Sequence, residues 1–142
     1  HAYHRRLNAE DVAVRKRAAK HWASWEGAIL RLLFDRALFA QFAADFHADA
    51  FARIECHYFV HRCFFPSDDF LLKEVAKIRG RIPAWIIHGR YDVVCPLESA
   101  WALHRAWPEA HFEIIPDAGH ASSEPGILDA LIRATDHFRG AL

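Results

Sequence analysis

The 142-residue sequence contains no methionine. Opening on His1-Ala2-Tyr3-His4 without one, it reads as a fragment or a processed product. No apolar run approaches the roughly 18 residues that a membrane-spanning helix needs, and no secretory signal is visible. There is no excess of charge: Lys plus Arg and Asp plus Glu number 18 each. Nothing electrostatic therefore draws the chain to nucleic acid or to an anionic membrane surface. The three cysteines, Cys56, Cys63 and Cys95, lack CxxC spacing and leave one over. That speaks against a disulfide framework or a structural zinc site, and fits a reducing, cytoplasmic setting. His57 and His61 stand at i, i+4 but lack the Glu of H-E-x-x-H and any evident third ligand, so no metal is expected. Asn-x-Ser/Thr, internal repeats and low-complexity segments do not occur.

The chain is otherwise rich in core-forming material. Hydrophobic residues make up 53%, with 11 Phe, 5 Trp and 3 Tyr, enough to exclude global disorder. Eleven histidines make the net charge sensitive to pH below about 6.5 without defining a site.

The first half reads as helices. Asn8 can cap a helix from Ala9 to about Leu33, with Asp11 completing a short capping box. Val14, Ala18, Trp22, Trp25 and Ile29 recur there at helical spacing, and Gly27 is a place to break or bend. A second helical stretch runs from about Asp45 to Arg62, with Phe51, Glu55 and Phe59 on one face. Pro66 ends it, and Ser67 or Asp68 caps a short third helix from Asp69 to Ile78. The pattern changes at Gly80. Ala84–His88 and His111–Ile115 read as buried strands, Glu98–Trp107 and Gly126–Arg139 as helices, the last with Ile127, Leu131, Ile132 and Phe138 apolar. Strand–helix–strand–helix implies two parallel strands joined by a right-handed crossover. The expected fold class is α/β, with a helical segment over residues 1–80 and the strand-bearing part over 81–142. Two parallel strands are not a self-sufficient core, so further strands or a partner are expected to cover them.

Asp92 follows the first strand in His88-Gly89-Arg90-Tyr91-Asp92, and His120 follows the second in Pro116-Asp117-Ala118-Gly119-His120. Parallel strands send both loops out at one carboxyl edge, where open α/β sheets bind ligands. Neighbouring strands lie about 4.8 Å apart, within reach of a carboxylate–imidazole bond. Such a pair fixes the imidazole tautomer and readies the second ring nitrogen to take a proton from a serine hydroxyl. Acid before base, on the last two strands, is the order of Ser…Asp…His hydrolases. An Asp and a His at strand ends are also ordinary loop residues.

A wider set of motifs resembles one family. Gly89-Arg90-Tyr91-Asp92 with Cys95-Pro96, Ala100-Trp101, Ala106-Trp107-Pro108-Glu109-Ala110, Asp117-Ala118-Gly119-His120 and Glu124-Pro125-Gly126-Ile127 resemble proline iminopeptidases. So do Tyr3-His4-Arg5-Arg6-Leu7, Trp25-Glu26-Gly27 and Ala52-Arg53-Ile54-Glu55-x-His57-Tyr58-Phe59 upstream. The resemblance implies an α/β-hydrolase fold with a helical cap, seen only in part: the cap segment and the last two parallel strands with their helices. It implies Asp92 as triad acid and His120 as general base. Glu26 and Glu55 would bind the imino group of a peptide beginning with proline, since carboxylates give charge-assisted bonds to a secondary ammonium. Phe59 would pack on the pyrrolidine ring, and Cys95 would lie beside the same pocket. Each has a plainer reading: Glu26 and Glu55 as surface carboxylates, Phe59 as core, Cys95 as a small apolar side chain.

No G-x-S-x-G elbow is present; Ser24, Ser67, Ser99, Ser122 and Ser123 all lie in other contexts. The expectation is therefore a part of a serine aminopeptidase, inactive alone, without metal or organic cofactor. It would need a nucleophile-bearing part or self-association to complete it. The competing readings are another capped hydrolase, such as an esterase or epoxide hydrolase, and a non-catalytic dimerising module.

Overall fold

The computed structural model describes residues 1–141, with residues 45, 46 and 141 described by backbone alone. The chain forms two compact units, one of His1–Ile29 and Phe34–Asp68, the other of Leu30–Leu33 and the chain from Asp69 onward.

The first unit is helical. It contains α1 (Ala2–Leu7), α2 (Val12–Ile29), α3 (Arg36–Phe42) and α4 (Asp45–Val60). Side-chain caps set three of its boundaries. Asn8 closes α1 rather than opening α2: its Nδ2 donates to His4 O at 2.8 Å. Asp11 opens α2, its Oδ1 accepting from Ala13 N at 2.7 Å and Val14 N at 3.4 Å. Asp35 does the same for α3 through Ala37 N at 2.9 Å and Leu38 N at 3.0 Å. Gly27 does not break α2, which runs on to Ile29. It is a packing glycine: a Cβ there would stand 2.8 Å from Phe42 Cβ, so its absence lets α3 close on α2. The second helical stretch ends at Val60, short of the expected Arg62. Arg62, Cys63 and Phe64 take positive φ of 51°, 51° and 62°, which an α-helix cannot continue.

The core of this unit is built from small side chains: Ala18, Ala19 and Ala23 of α2 against Ala48, Ala52 and Cys56 of α4, with Leu7 of α1. Tyr3, Trp22, Phe51 and Val60 frame it. Small residues at a helix contact shorten the interaxial distance, so backbones approach closely and aromatics fill the margins.

The second unit carries α5 (Phe70–Glu74) with a 3₁₀ turn over Val75–Lys77, then β1 (Trp85–Gly89), α6 (Leu97–Ala106), β2 (His111–Ile115) and α7 (Pro125–Ala141). The two strands pair in parallel, Trp85 opposite His111 through Gly89 opposite Ile115. Alternation puts Ile86 and Ile87 on opposite faces. Ile86 packs against a buried cluster of Val75, Trp107 and Ala110; Ile87 packs against one of Ile115, Ala118, Ile127 and Ala130. Helix α7 thus buries Ile127, Ala130 and Ala134 at i, i+3, i+7, while Leu131 and Ile132, expected on the apolar face, are exposed. The contact of Val75 with Trp107 and Ala110 explains why the second unit begins at Asp69 and includes the short helix before the strands. The architecture is mixed α and β around a small parallel sheet. Among the described residues no helix is long and apolar enough to cross a membrane.

Candidate active site

Both strands of the second unit end where the chemistry-bearing loops begin. The loops are joined by backbone bonds: Arg90 N donates to Ile115 O at 2.9 Å and Tyr91 N to Ala118 O at 3.0 Å. Gly89 makes that approach feasible, because a Cβ there would run into Gly119 O and lie 2.7 Å from Ala118 O. Asp92 is then turned into the loop. Its Oδ1 accepts from Val94 N at 2.9 Å and Cys95 N at 2.8 Å, an Asx-type turn. Its Oδ2 accepts from His120 Nδ1 at 2.9 Å.

The side chain of Asp92 is 5% exposed and that of His120 33%. A carboxylate so buried needs its lone pairs filled, and three N–H groups do this. With its Nδ1 proton held by Asp92, a neutral His120 carries its lone pair on Nε2, the form a general base requires. The structure thus holds an oriented carboxylate–imidazole pair at the carboxyl edge of the sheet.

His88 belongs to the same cluster, although the sequence did not single it out. Its Nε2–H donates to Cys95 O at 2.8 Å and lies 3.6 Å from Asp92 Oδ2. The signal was its place at i−4 from Asp92 at a strand end. Glu124 was also missed as a site residue: its Oε1 accepts from Gly119 N at 2.6 Å. Cys95 enters through its backbone, whose N–H and C=O serve Asp92 and His88.

The remaining candidates lie in the first unit. Glu26, Phe59, Trp22, Trp25, Tyr3 and His21 line an open cleft of about 570 Å³. Glu55 Oε2 accepts from Trp22 Nε1 at 2.6 Å, and the same indole lies 6.1 Å from the Phe59 ring and 5.2 Å from Tyr3. Phe59 is exposed rather than core. Trp22, read from the sequence only as a helix-face residue, joins all three. His57 and His61 are tied to each other, with rings 4.4 Å apart and His61 Nδ1 bonded to His57 O at 2.8 Å. Among the described residues no group of three or more His, Cys, Asp or Glu side chains could hold a metal ion, and no cysteine forms a disulfide.

No known family profile matches the chain. Individual relatives do. The chain is 56% identical over 137 residues to a probable proline iminopeptidase of Leptolyngbya boryana, covering 96% of this chain and 42% of that protein. It is 51% identical over 137 residues to the proline iminopeptidase of Xylella fastidiosa, covering 96% and 44%. It is 48% identical over 143 residues to that of Arabidopsis thaliana, covering 99% and 37%. The chain therefore spans less than half the length of these curated relatives, and over nearly all of its own length it is similar to a part of proline iminopeptidases.

Proposed function

We propose that this chain is the helical cap and C-terminal core segment of an α/β-hydrolase-fold proline iminopeptidase, and that the complete enzyme releases proline from the N-terminus of peptides in the cytoplasm. The observation that carries the reading is the 2.9 Å bond between His120 Nδ1 and the buried carboxylate of Asp92, at the edge where both strands end.

In this reading His120 takes the proton of a serine hydroxyl on Nε2 as the serine oxygen bonds to the carbonyl carbon of the prolyl residue. The imidazolium, stabilised by Asp92, returns the proton to the departing amine nitrogen as the C–N bond breaks, leaving a prolyl ester. Water, deprotonated by the same histidine, then frees proline and the serine. The serine comes from outside these 142 residues, so the chain alone turns over no substrate. Glu26 and Glu55 receive the secondary ammonium of the N-terminal proline, Phe59 packs on its ring, and Cys95 lies beside the pocket. The Trp22–Glu55 bond supports this, because a carboxylate with one oxygen held by an indole is aimed and retains acceptor capacity for an ammonium. No cofactor takes part.

The test is an assay of the complete enzyme with proline 2-naphthylamide. His120→Ala and Asp92→Asn are expected to lower kcat by about three to four orders of magnitude with KM changed only a few-fold. A His120→Ala enzyme keeping a tenth of the activity refutes the assignment. Equal turnover of free and N-acetylated proline substrates would remove the amine-binding role of Glu26 and Glu55.

A further inference from the structure

Glu124 is a buried carboxylate that the triad scheme leaves without a task. It is 7% exposed and sits immediately before α7, at the position where Ser, Thr, Asp or Asn usually caps a helix. Its carboxylate instead turns back along the chain. Oε1 accepts from Gly119 N at 2.6 Å and from Leu32 N at 2.9 Å, the latter from a residue 92 positions away. Leu30 O, two residues before that partner, accepts from His120 N at 2.9 Å and from Ala121 N at 2.8 Å. Arg31 Nη2, between them, donates to Ser123 Oγ at 2.9 Å. The loop is closed on its other side by Glu124 N donating to Ala121 O at 2.9 Å.

Every backbone N–H from Gly119 to Ala121 is thus taken up, by Glu124 or by Leu30. The sequence accommodates the carboxylate at a cost in side-chain space: a Cβ at residue 119 would lie 2.9 Å from Glu124 Oε1 and 2.9 Å from Leu32 N. We infer that Glu124 is a positioning residue for His120, clamping the histidine loop to the Leu30–Leu33 segment through two backbone N–H groups. A bond to a charged acceptor is stronger than a bond to a neutral one. Two such bonds on a single buried oxygen suit a loop whose imidazole must stay aligned with Asp92. The inference rests on the general-base role proposed for His120, and makes Glu124 act through geometry alone, with no contact to substrate.

The experiment compares Glu124→Gln and Glu124→Ala in the complete enzyme. Glutamine keeps an oxygen acceptor; alanine removes it. Glu124→Ala is expected to lower kcat by about tenfold to a hundredfold, the scale on which a misplacement of about 1 Å acts, with KM little changed. It should also broaden or shift the His120 Nδ1 proton resonance and speed hydrogen exchange at Gly119. Glu124→Gln should recover most of kcat and the Nδ1 signal. If both variants lose thermal stability while the folded enzyme keeps wild-type kcat and an unshifted Nδ1 resonance, the carboxylate is only structural and the inference fails. If Glu124→Ala does not fold, Glu124→Gln decides: loss of the His120 Nδ1 resonance together with a kcat as low as that of His120→Ala overturns the clamp. The resonance and the exchange rate need no substrate. A wild-type enzyme inert on proline naphthylamide would thus refute the proposed function while leaving the clamp separately measurable.

Discussion

Replacing Gly89 by alanine tests how the two site loops are held together. The added Cβ would collide with Gly119 O and stand 2.7 Å from Ala118 O, about 0.7 Å inside van der Waals contact with the latter. The obstructing atoms are backbone, so no rotamer change relieves the clash. The loops must part, and parting them strains Arg90 N to Ile115 O and Tyr91 N to Ala118 O, now 2.9 Å and 3.0 Å. Overpacking costs about 1–3 kcal/mol and each weakened backbone bond about 1 kcal/mol, so Gly89→Ala should destabilise the protein by about 3–5 kcal/mol. The same displacement moves Asp92 relative to His120, which are carried by these loops. Activity per folded molecule should fall by about a hundredfold. Denaturant titration of the complete protein gives the first quantity and single-substrate kinetics the second. A variant within about 1 kcal/mol of wild type and with unchanged kcat would show that the close approach of the loops neither constrains the fold nor aligns the pair.

Trp22→Phe removes the indole donor from Glu55 while keeping an aromatic ring beside Phe59 and Tyr3. It should raise KM for free N-terminal proline substrates by about tenfold with kcat nearly intact, read from initial-rate kinetics. Glu113 is held below the ordinary carboxylate range by its hydrogen bond to Arg133, against the opposing effect of burial. A carboxyl whose pKa is depressed on folding stabilises above its unfolded pKa, and that stability is lost as pH falls through the folded value. Arg133→Ala should therefore lower stability slightly at neutral pH, and the part of that loss due to Glu113 should vanish once the pH falls below the depressed pKa of Glu113 in the folded protein; denaturant curves at neutral and at acid pH check this. Burial pushes the Cys56 thiol up, whereas Cys63 is exposed. Iodoacetamide should modify the exposed Cys63 and Cys95 first and Cys56 only on unfolding, as peptide mass mapping would show.

The strand-bearing part was legible because its signals are local. Short apolar runs closed by Gly89 and Pro116 mark β1 and β2, and parallel order then brings Asp92 and His120 to one edge without knowledge of any other contact. The helical half was legible in kind but not in detail. Asn8 and Asp11 are both good caps, and only the backbone decides that one ends a helix and the other starts the next. Helix α3 went unread because its seven residues are too few to display a period.

By itself, then, the sequence determined the α/β character, the meeting of Asp92 and His120 at one sheet edge, and the similarity to a part of proline iminopeptidases, all of which rest on patterns spanning a few residues. Tertiary structure alone decided what braces those groups. Trp22 meets Glu55 across 33 residues, and Glu124 meets Leu32 across 92. A hydrogen bond between distant residues leaves no periodicity in either segment, so a buried glutamate before a proline and an indole on a helix face look ordinary until the chain has folded.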